Sequence, residues 1–305
     1  MKLAYYDYVW GIKQTIKMKK LLLILLCLPI LFATCKKEEN ESNNDNQSNT
    51  ENTIGFGISD SEVFQTTDGG YNWTKKAYRS FIDLDVISED VIYGTTFYGN
   101  LFKSLNGGSN WDICETVYTF KDVDFITEDK GYAILSGNFI VDSVNEVLYN
   151  GDVIMKTYNS GLTWSFISAL FDVNGIYIDF LENISFVTEN IGYCSDNLSS
   201  IIYKTIDGGL TWNPIDQISN LRELVFVSEE IGYYNDNNFI YKTTNSGLTW
   251  AIIDNISFND FDFISENVGF GSNSLGVWKT IDGGLTWDTT SIMNLNPITF
   301  INVLN

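Results

Sequence analysis

The sequence predicts an all-β fold: a six-bladed β-propeller of four-stranded blades, closed by a C-terminal strand that completes the first blade. Three observations carry this. The phrase Ser/Thr-x-Asp/Asn-x-Gly-x-x-Trp occurs six times at a spacing of roughly 40 residues, the mark of a repeat architecture. A second phrase, typified by Asp122-Val123-Asp124-Phe125-Ile126-Thr127-Glu128-Asp129-Lys130-Gly131-Tyr132, falls between copies of the first. The two ends of the repeat region are complementary fragments of one repeat.

The first phrase runs Thr66–Trp73, Ser104–Trp111, Thr157–Trp164, Thr205–Trp212, Thr243–Trp250 and Thr280–Trp287. A β-branched and aromatic run such as Ile201-Ile202-Tyr203 leads in and the Trp leads out, so each copy reads as a tight turn between two short strands. Gly209 and its counterparts supply positive φ, and the acidic or amide side chain accepts backbone N–H groups of the turn. That position is Asp68, Asp207 and Asp282 in three copies but Asn106, Asn159 and Asn245 in the others. An amide oxygen accepts a hydrogen bond as a carboxylate does, but it is no proton donor and a poor hard-cation ligand, so the position reads as structural.

The second phrase recurs at 83–93, 183–193, 223–233 and 260–270 and reads as two strands joined by a turn. Added to the strands around the Trp turn it makes four per repeat, in the order Val123–Thr127, Gly131–Leu135, Asp152–Thr157 and Trp164–Ser168 for the third copy. The region opens with Ile54-Gly55-Phe56, a second strand with no inner strand before it, and ends with Ile298-Thr299-Phe300-Ile301, an inner strand with nothing after it. Pairing the two closes the ring and removes an exposed edge, so a monomer is expected.

This topology puts the inner-to-second turn and the Trp turn on one face and the remaining loops on the other. Two insertions, Ser136–Gly151 and Ala169–Phe180, land on that second face as neighbours. Loops beyond the repeat minimum most often bind something, and Phe139, Tyr149, Phe171 and Tyr177 would offer apolar surface there, although the loops could equally pack on one another. Period-2 counting along the inner strands lines the axis with Asp85, Asp124, Ser185, Val225, Asp262 and Thr299, and above them Asp83, Asp122, Asn183, Glu223 and Asp260. The column reads either as a hydrated acidic rim or as a place for a cation or cationic ligand group.

Ahead of the repeats, Met18-Lys19-Lys20 and the apolar run Leu21–Phe32 read as a secretion signal, too short to span a bilayer, with Met18 the plausible start. Its end, Leu31-Phe32-Ala33-Thr34-Cys35, resembles a bacterial lipobox, with Phe32 and Thr34 departing from the usual residues. The resemblance implies that Cys35 carries lipid and becomes the mature N-terminus of an envelope, outer-membrane or surface lipoprotein. Ordinary cleavage with Cys35 a bystander is the alternative. Residues 36–53, Lys then acidic and polar, have little apolar surface to bury and read as a disordered tether with a reach of roughly 23 Å. The domains expected are therefore 1–35, 36–53 and 54–305.

Composition narrows the function. The 305 residues carry a net charge of −21 and no histidine, and the only arginines are Arg79 and Arg222. A nucleic-acid partner needs clustered cations and is excluded on that ground. Histidine triads and histidine metal sites are impossible, no phosphate-cradling loop occurs, and no cofactor or metal is expected. Cys114 and Cys194 sit about two blades apart, too far for a disulfide.

The six turns resemble the Asp-box, or bacterial neuraminidase repeat, a structural hairpin of β-propellers. A sialidase of that family grips its substrate carboxylate with three arginines, which two cannot supply. The phrasing Lys-Thr-x-Asp-Gly-Gly-x-Thr-Trp at 204–212 is more similar to propellers of the photosystem II assembly-factor type and their sortilin-like relatives, which implies a binding platform. The arginine-rich patch of the photosynthetic members is missing, so pigment-protein assembly does not transfer. The expectation is a non-catalytic, lipid-anchored platform for protein or glycan. The alternative is a glycoside hydrolase drawing two carboxylates from Asp85, Asp124 and Asp262.

Overall fold

The structure is a computed structural model that describes residues 53–302, apart from 116–117, 143–146, 172–176, 197 and 219. The expected leader, the lipid site at Cys35 and nearly all of the tether lie outside the described residues. Six four-stranded antiparallel sheets make up the repeat region, and no helix occurs among the described residues.

The fourth blade shows the plan: Leu181–Phe186 innermost, then Gly192–Asp196, Ile201–Thr205 and Asn213–Gln217 outermost. The other inner strands are Ile298–Asn302, Asp83–Val86, Thr119–Phe125, Glu223–Phe226 and Asp260–Phe263. In the first blade the inner strand comes from the C-terminal end: Gly55 pairs with Phe300 and Gly57 with Ile298, so the ring closes as the complementary ends predict. The second strand there begins at Thr53, one residue before the expected boundary. The third inner strand stops at Phe125 rather than Thr127, because Thr127 already folds the turn, its Oγ1 accepting the N–H of Lys130.

Each Trp turn is built alike. In the fourth blade Thr205 Oγ1 accepts the N–H of Gly209 at 2.9 Å, Asp207 Oδ1 accepts that of Thr211 at 2.9 Å, and Thr211 Oγ1 donates to Asp207 Oδ2 at 2.6 Å. The Asn copies keep the backbone bond, as in Asn159 Oδ1 to Thr163 N at 2.9 Å. The turn is tied to the inner-to-second turn of its own blade through Gly208 N to Asn190 O at 3.0 Å, with equivalents at Gly107, Ser160, Ser246 and Gly283. In the first blade Gly69 N reaches Thr53 O instead, which places the entry of the chain on this same face. Asp207→Ala is expected to cost about 1 kcal/mol in urea denaturation and Asp207→Asn only a fraction of that, since the amide still accepts from Thr211 N.

The core lies between blades. The inner strand carries Phe125, Phe186, Phe226, Phe263 or Phe300 in five blades, as its last residue in the first four of these, and the ring stacks on an aromatic second-strand residue of the preceding blade. Phe186 and Tyr132 are typical, 3.5 Å between centroids and 5° between planes. Beyond the ring stands the blade's own Trp, edge to face, as Trp212 is to Phe186 at 5.9 Å. A glycine makes the room: a Cβ at Gly192 would lie 2.6 Å from the Phe186 ring. The tyrosine hydroxyls then donate across the interface, Tyr132 to Glu189 O at 2.7 Å and Tyr193 to Glu229 O at 2.6 Å. The sixth interface has no such pair: Val86 takes the phenylalanine position and packs in one cluster with Phe56.

Candidate functional site

An innermost strand is an edge strand, and some of its N–H groups point at no partner in its own sheet. The axial acids answer this. Asp85 Oδ2 accepts the N–H of Phe125 at 2.6 Å, Asp122 Oδ2 that of Ile184 at 2.6 Å, and Asp124 that of Phe186. Asp260 Oδ2 accepts from Ile298 at 2.6 Å and Asp262 Oδ2 from Phe300 at 2.8 Å, while Ser185 Oγ serves Phe226 N at 3.1 Å. Each such group thus bonds to the inner strand of the next blade. Val225 has no acceptor to offer, and Asn183 donates to Arg222 O at 3.4 Å instead.

These side chains surround an axial cavity of about 130 Å³. Burial pushes Asp83 and Asp262 up to about 6 and Asp124 and Asp260 up to about 7. Burial, with the neighbouring carboxylates second, also holds Asp85, Asp122 and Glu223 well above the usual carboxylate range. Asp83 Oδ2 is closed to solvent and has no hydrogen-bond partner among the described residues. Among the described residues no Lys or Arg pairs with any of the seven acids, and no group of Asp, Glu or Cys is arranged to hold a metal ion.

Taken alone, the cavity is smaller than the ~300 Å³ at which pockets for drug-sized ligands begin. It widens, however, toward the face away from the Trp turns. There Asp83, Asp122, Glu223 and Asp260 form the floor of a mouth of about 470 Å³ whose walls include Ile82, Phe97, Lys121, Glu182, Arg222 and Pro297.

The same face carries both insertions, but the first is not a loop. The strands Gly131–Asp142 and Val147–Thr157 run on through it as one long hairpin, with Tyr149 opposite Phe139 in register. The β-branched and aromatic stretches 139–141 and 147–149 explain this. The second insertion folds back through a bridge between Phe171 and Tyr177, whose rings meet edge to face at 5.8 Å, and the Tyr177 hydroxyl donates to Asp152 O. Phe171 is exposed and Tyr177 half-buried, so the second insertion is tied to the third blade while still presenting an apolar side chain.

Phe97 and Tyr98 were not among the expected site residues. They sit in the second-to-third turn of the second blade, 81% and 82% exposed, with rings 5.7 Å apart and 82° between planes. Tyr78 and Ile82, nearby in sequence and on the same face, are exposed as well. The sign was available: the equivalent turns of the fourth and fifth blades read Asn197-Leu198-Ser199 and Asn237-Asn238, whereas the short turn of the second blade holds two aromatics.

Cys194 is buried, and burial raises its thiol well above the ordinary value; no disulfide joins it to Cys114.

No protein-family model and no curated protein matches the sequence. Solved structures do match in fold. A chain of the nidogen/laminin complex aligns with a TM-score of 0.58 at 11% identity over 81% of this chain and 98% of its own. YCF48 from Cyanidioschyzon merolae aligns with a TM-score of 0.52 at 14% identity over 82% and 83%. The GH74 xyloglucanase from Xanthomonas campestris aligns with a TM-score of 0.47 at 13% identity, covering 75% of this chain but only 43% of the enzyme. The six four-stranded sheets define the class, a six-bladed all-β propeller, and the alignments with TM-scores above 0.5 agree with that fold.

Proposed function

We propose that this chain is a lipid-anchored envelope protein whose propeller is a non-catalytic binding platform for a protein partner, engaged through the face that bears the insertions. The observation that carries the reading is the arrangement of exposed rings on that face. Glycan capture calls for flat parallel aromatics, whereas Phe97 meets Tyr98 at 82° and Phe171 meets Tyr177 at 62°. Around them lie Ile82, Lys121, Glu182 and Arg222, the mixed apolar and charged surface of a protein interface. The axial carboxylates speak for structure over hydrolysis, because most of them are occupied by the N–H groups of the next blade. The anchor rests on the Leu31–Cys35 pattern and the polar run behind it.

The test is a photo-crosslinking amino acid at Phe97, and separately at Leu210 on the Trp-turn face, in cells that express the chain. One protein band is expected from the Phe97 position and not from Leu210, and Phe97→Ser with Tyr98→Ser should cut co-purification of that protein by about tenfold or more. Equal labelling from both faces, or none, goes against the platform. Metabolic acylation that survives in Cys35→Ala would remove the anchor.

A further inference from the structure

The mouth on the insertion face has a chemistry more specific than a generic interface. Four carboxylates, Asp83, Asp122, Glu223 and Asp260, sit at its floor with three more, Asp85, Asp124 and Asp262, beneath them. Of the two cations on its wall, Lys121 is paired away from the floor, and Arg222 is exposed and makes no ion pair with the floor acids. Lys121 bridges Asp152 at 3.0 Å and Glu182 at 3.8 Å, and Arg222 donates to Asn237 Oδ1 at 3.4 Å. Nothing in the described chain neutralises the floor. Backbone N–H groups meet part of its demand, at Asp122 and Asp260, but Asp83 Oδ2 stays without a partner. Burial makes these acids hold their protons, so the floor carries only part of its formal charge until a cation enters and draws the protons off, and the exposed rim groups Ile82 and Phe97 offer apolar contact to whatever enters.

We infer that the partner inserts a single cationic side chain, arginine or lysine flanked by apolar residues, into this axial mouth. The inference rests on the platform reading and names its partner's chemistry. A guanidinium or ammonium at the level of Asp83 and Glu223 favours their ionised forms and donates charge-assisted hydrogen bonds to them. The residues either side of it lie on Phe97 and Ile82. Charge complementarity selects this occupant: an anionic segment would meet an acidic floor, and a neutral one would leave it uncompensated. A metal ion alone would leave the apolar rim without a role.

The test uses the full-length protein in neutral detergent and two acetylated, amidated peptides, Leu-Ala-Arg-Ala-Leu and the same peptide with citrulline for arginine. Citrulline keeps the shape and removes the charge. By calorimetry the arginine peptide is expected to bind at least about tenfold more tightly than the citrulline peptide, with affinity that falls as salt rises. Glu223→Gln and Phe97→Ser should each weaken it, and Asp282→Asn on the opposite face should not. Because Phe97 is exposed, its replacement keeps the result interpretable if Glu223→Gln folds poorly. Equal binding of the two peptides, no binding of either, or indifference to both mouth variants would overturn the inference. If a partner crosslinked at Phe97 is captured undiminished by Glu223→Gln, the cationic insertion fails while the platform stands.

Discussion

Phe186→Ala is expected to lower stability by about 3 to 5 kcal/mol, read as a fall in the urea midpoint at unchanged slope. The ring is buried, with Tyr132 of the third blade stacked on one side and Trp212 set against it edge-on. Its loss opens a void bounded by two blades, where neither rigid sheet can collapse to fill it. Aromatic pairs also contribute about 0.5 to 1.5 kcal/mol beyond the area they bury, so a double-mutant cycle between Phe186 and Tyr132 should show coupling of that size. Phe171→Ala, exposed on the insertion face, is the control and should move stability by no more than about 0.5 kcal/mol. A small effect at Phe186 would mean that the blades are held by their sheets alone and that the interblade stacks are incidental.

That interface was only half legible in the sequence. Six Trp turns, the split first blade and the sharing of one face by two kinds of turn all follow from spacing, because a repeat of about 40 residues that alternates strand and turn has few ways to bury itself. The Phe at 125, 186, 226, 263 and 300 and the Tyr or Phe one residue past a glycine at 132, 193, 233 and 270 were equally regular. Their regularity, however, belongs to contacts between neighbouring copies, and a repeat aligned with itself shows what each copy contains, not which copy it touches. The axial acids were found by period-2 counting, yet their work was hidden for the same reason: Asp124 answers an N–H some 60 residues away, at Phe186. Length pointed to the two insertions, while a five-residue turn of ordinary length carried Phe97 and Tyr98, the most exposed rings among the described residues.

Those acids lead to the second large effect, a fall in stability as pH rises from about 4 to 8. The sign follows from proton counting. Asp83, Asp124, Asp260 and Asp262 hold their protons up to about 6 or 7 in the folded chain, and Asp85, Asp122 and Glu223 hold theirs higher still. An unfolded chain releases them near 4. Through that window the folded state binds more protons than the unfolded one, so stability is greatest at the acid end and is lost as pH climbs through the folded values. Asp207 and Asp282 act in the opposite direction. Hydrogen bonds, first those from the Thr211 and Thr286 hydroxyls, hold them below the ordinary range, so their contribution disappears only when pH falls beneath about 4. The optimum should therefore lie near pH 4 to 5, with a loss on the order of a few kcal/mol by pH 8 and a drop in Tm of several degrees. Net negative charge over the whole surface pulls the same way, and substitution separates the two causes. Asp124→Asn keeps an oxygen for the N–H of Phe186 and removes one buried charge, so it should flatten the slope and raise Tm at pH 8 while leaving pH 5 little changed. Asp124→Ala strands that N–H and should destabilise at both. Asp288→Asn removes an equal charge from an exposed site on an outer strand. If it flattens the slope as much as Asp124→Asn does, the pH response belongs to the surface and not to the axis.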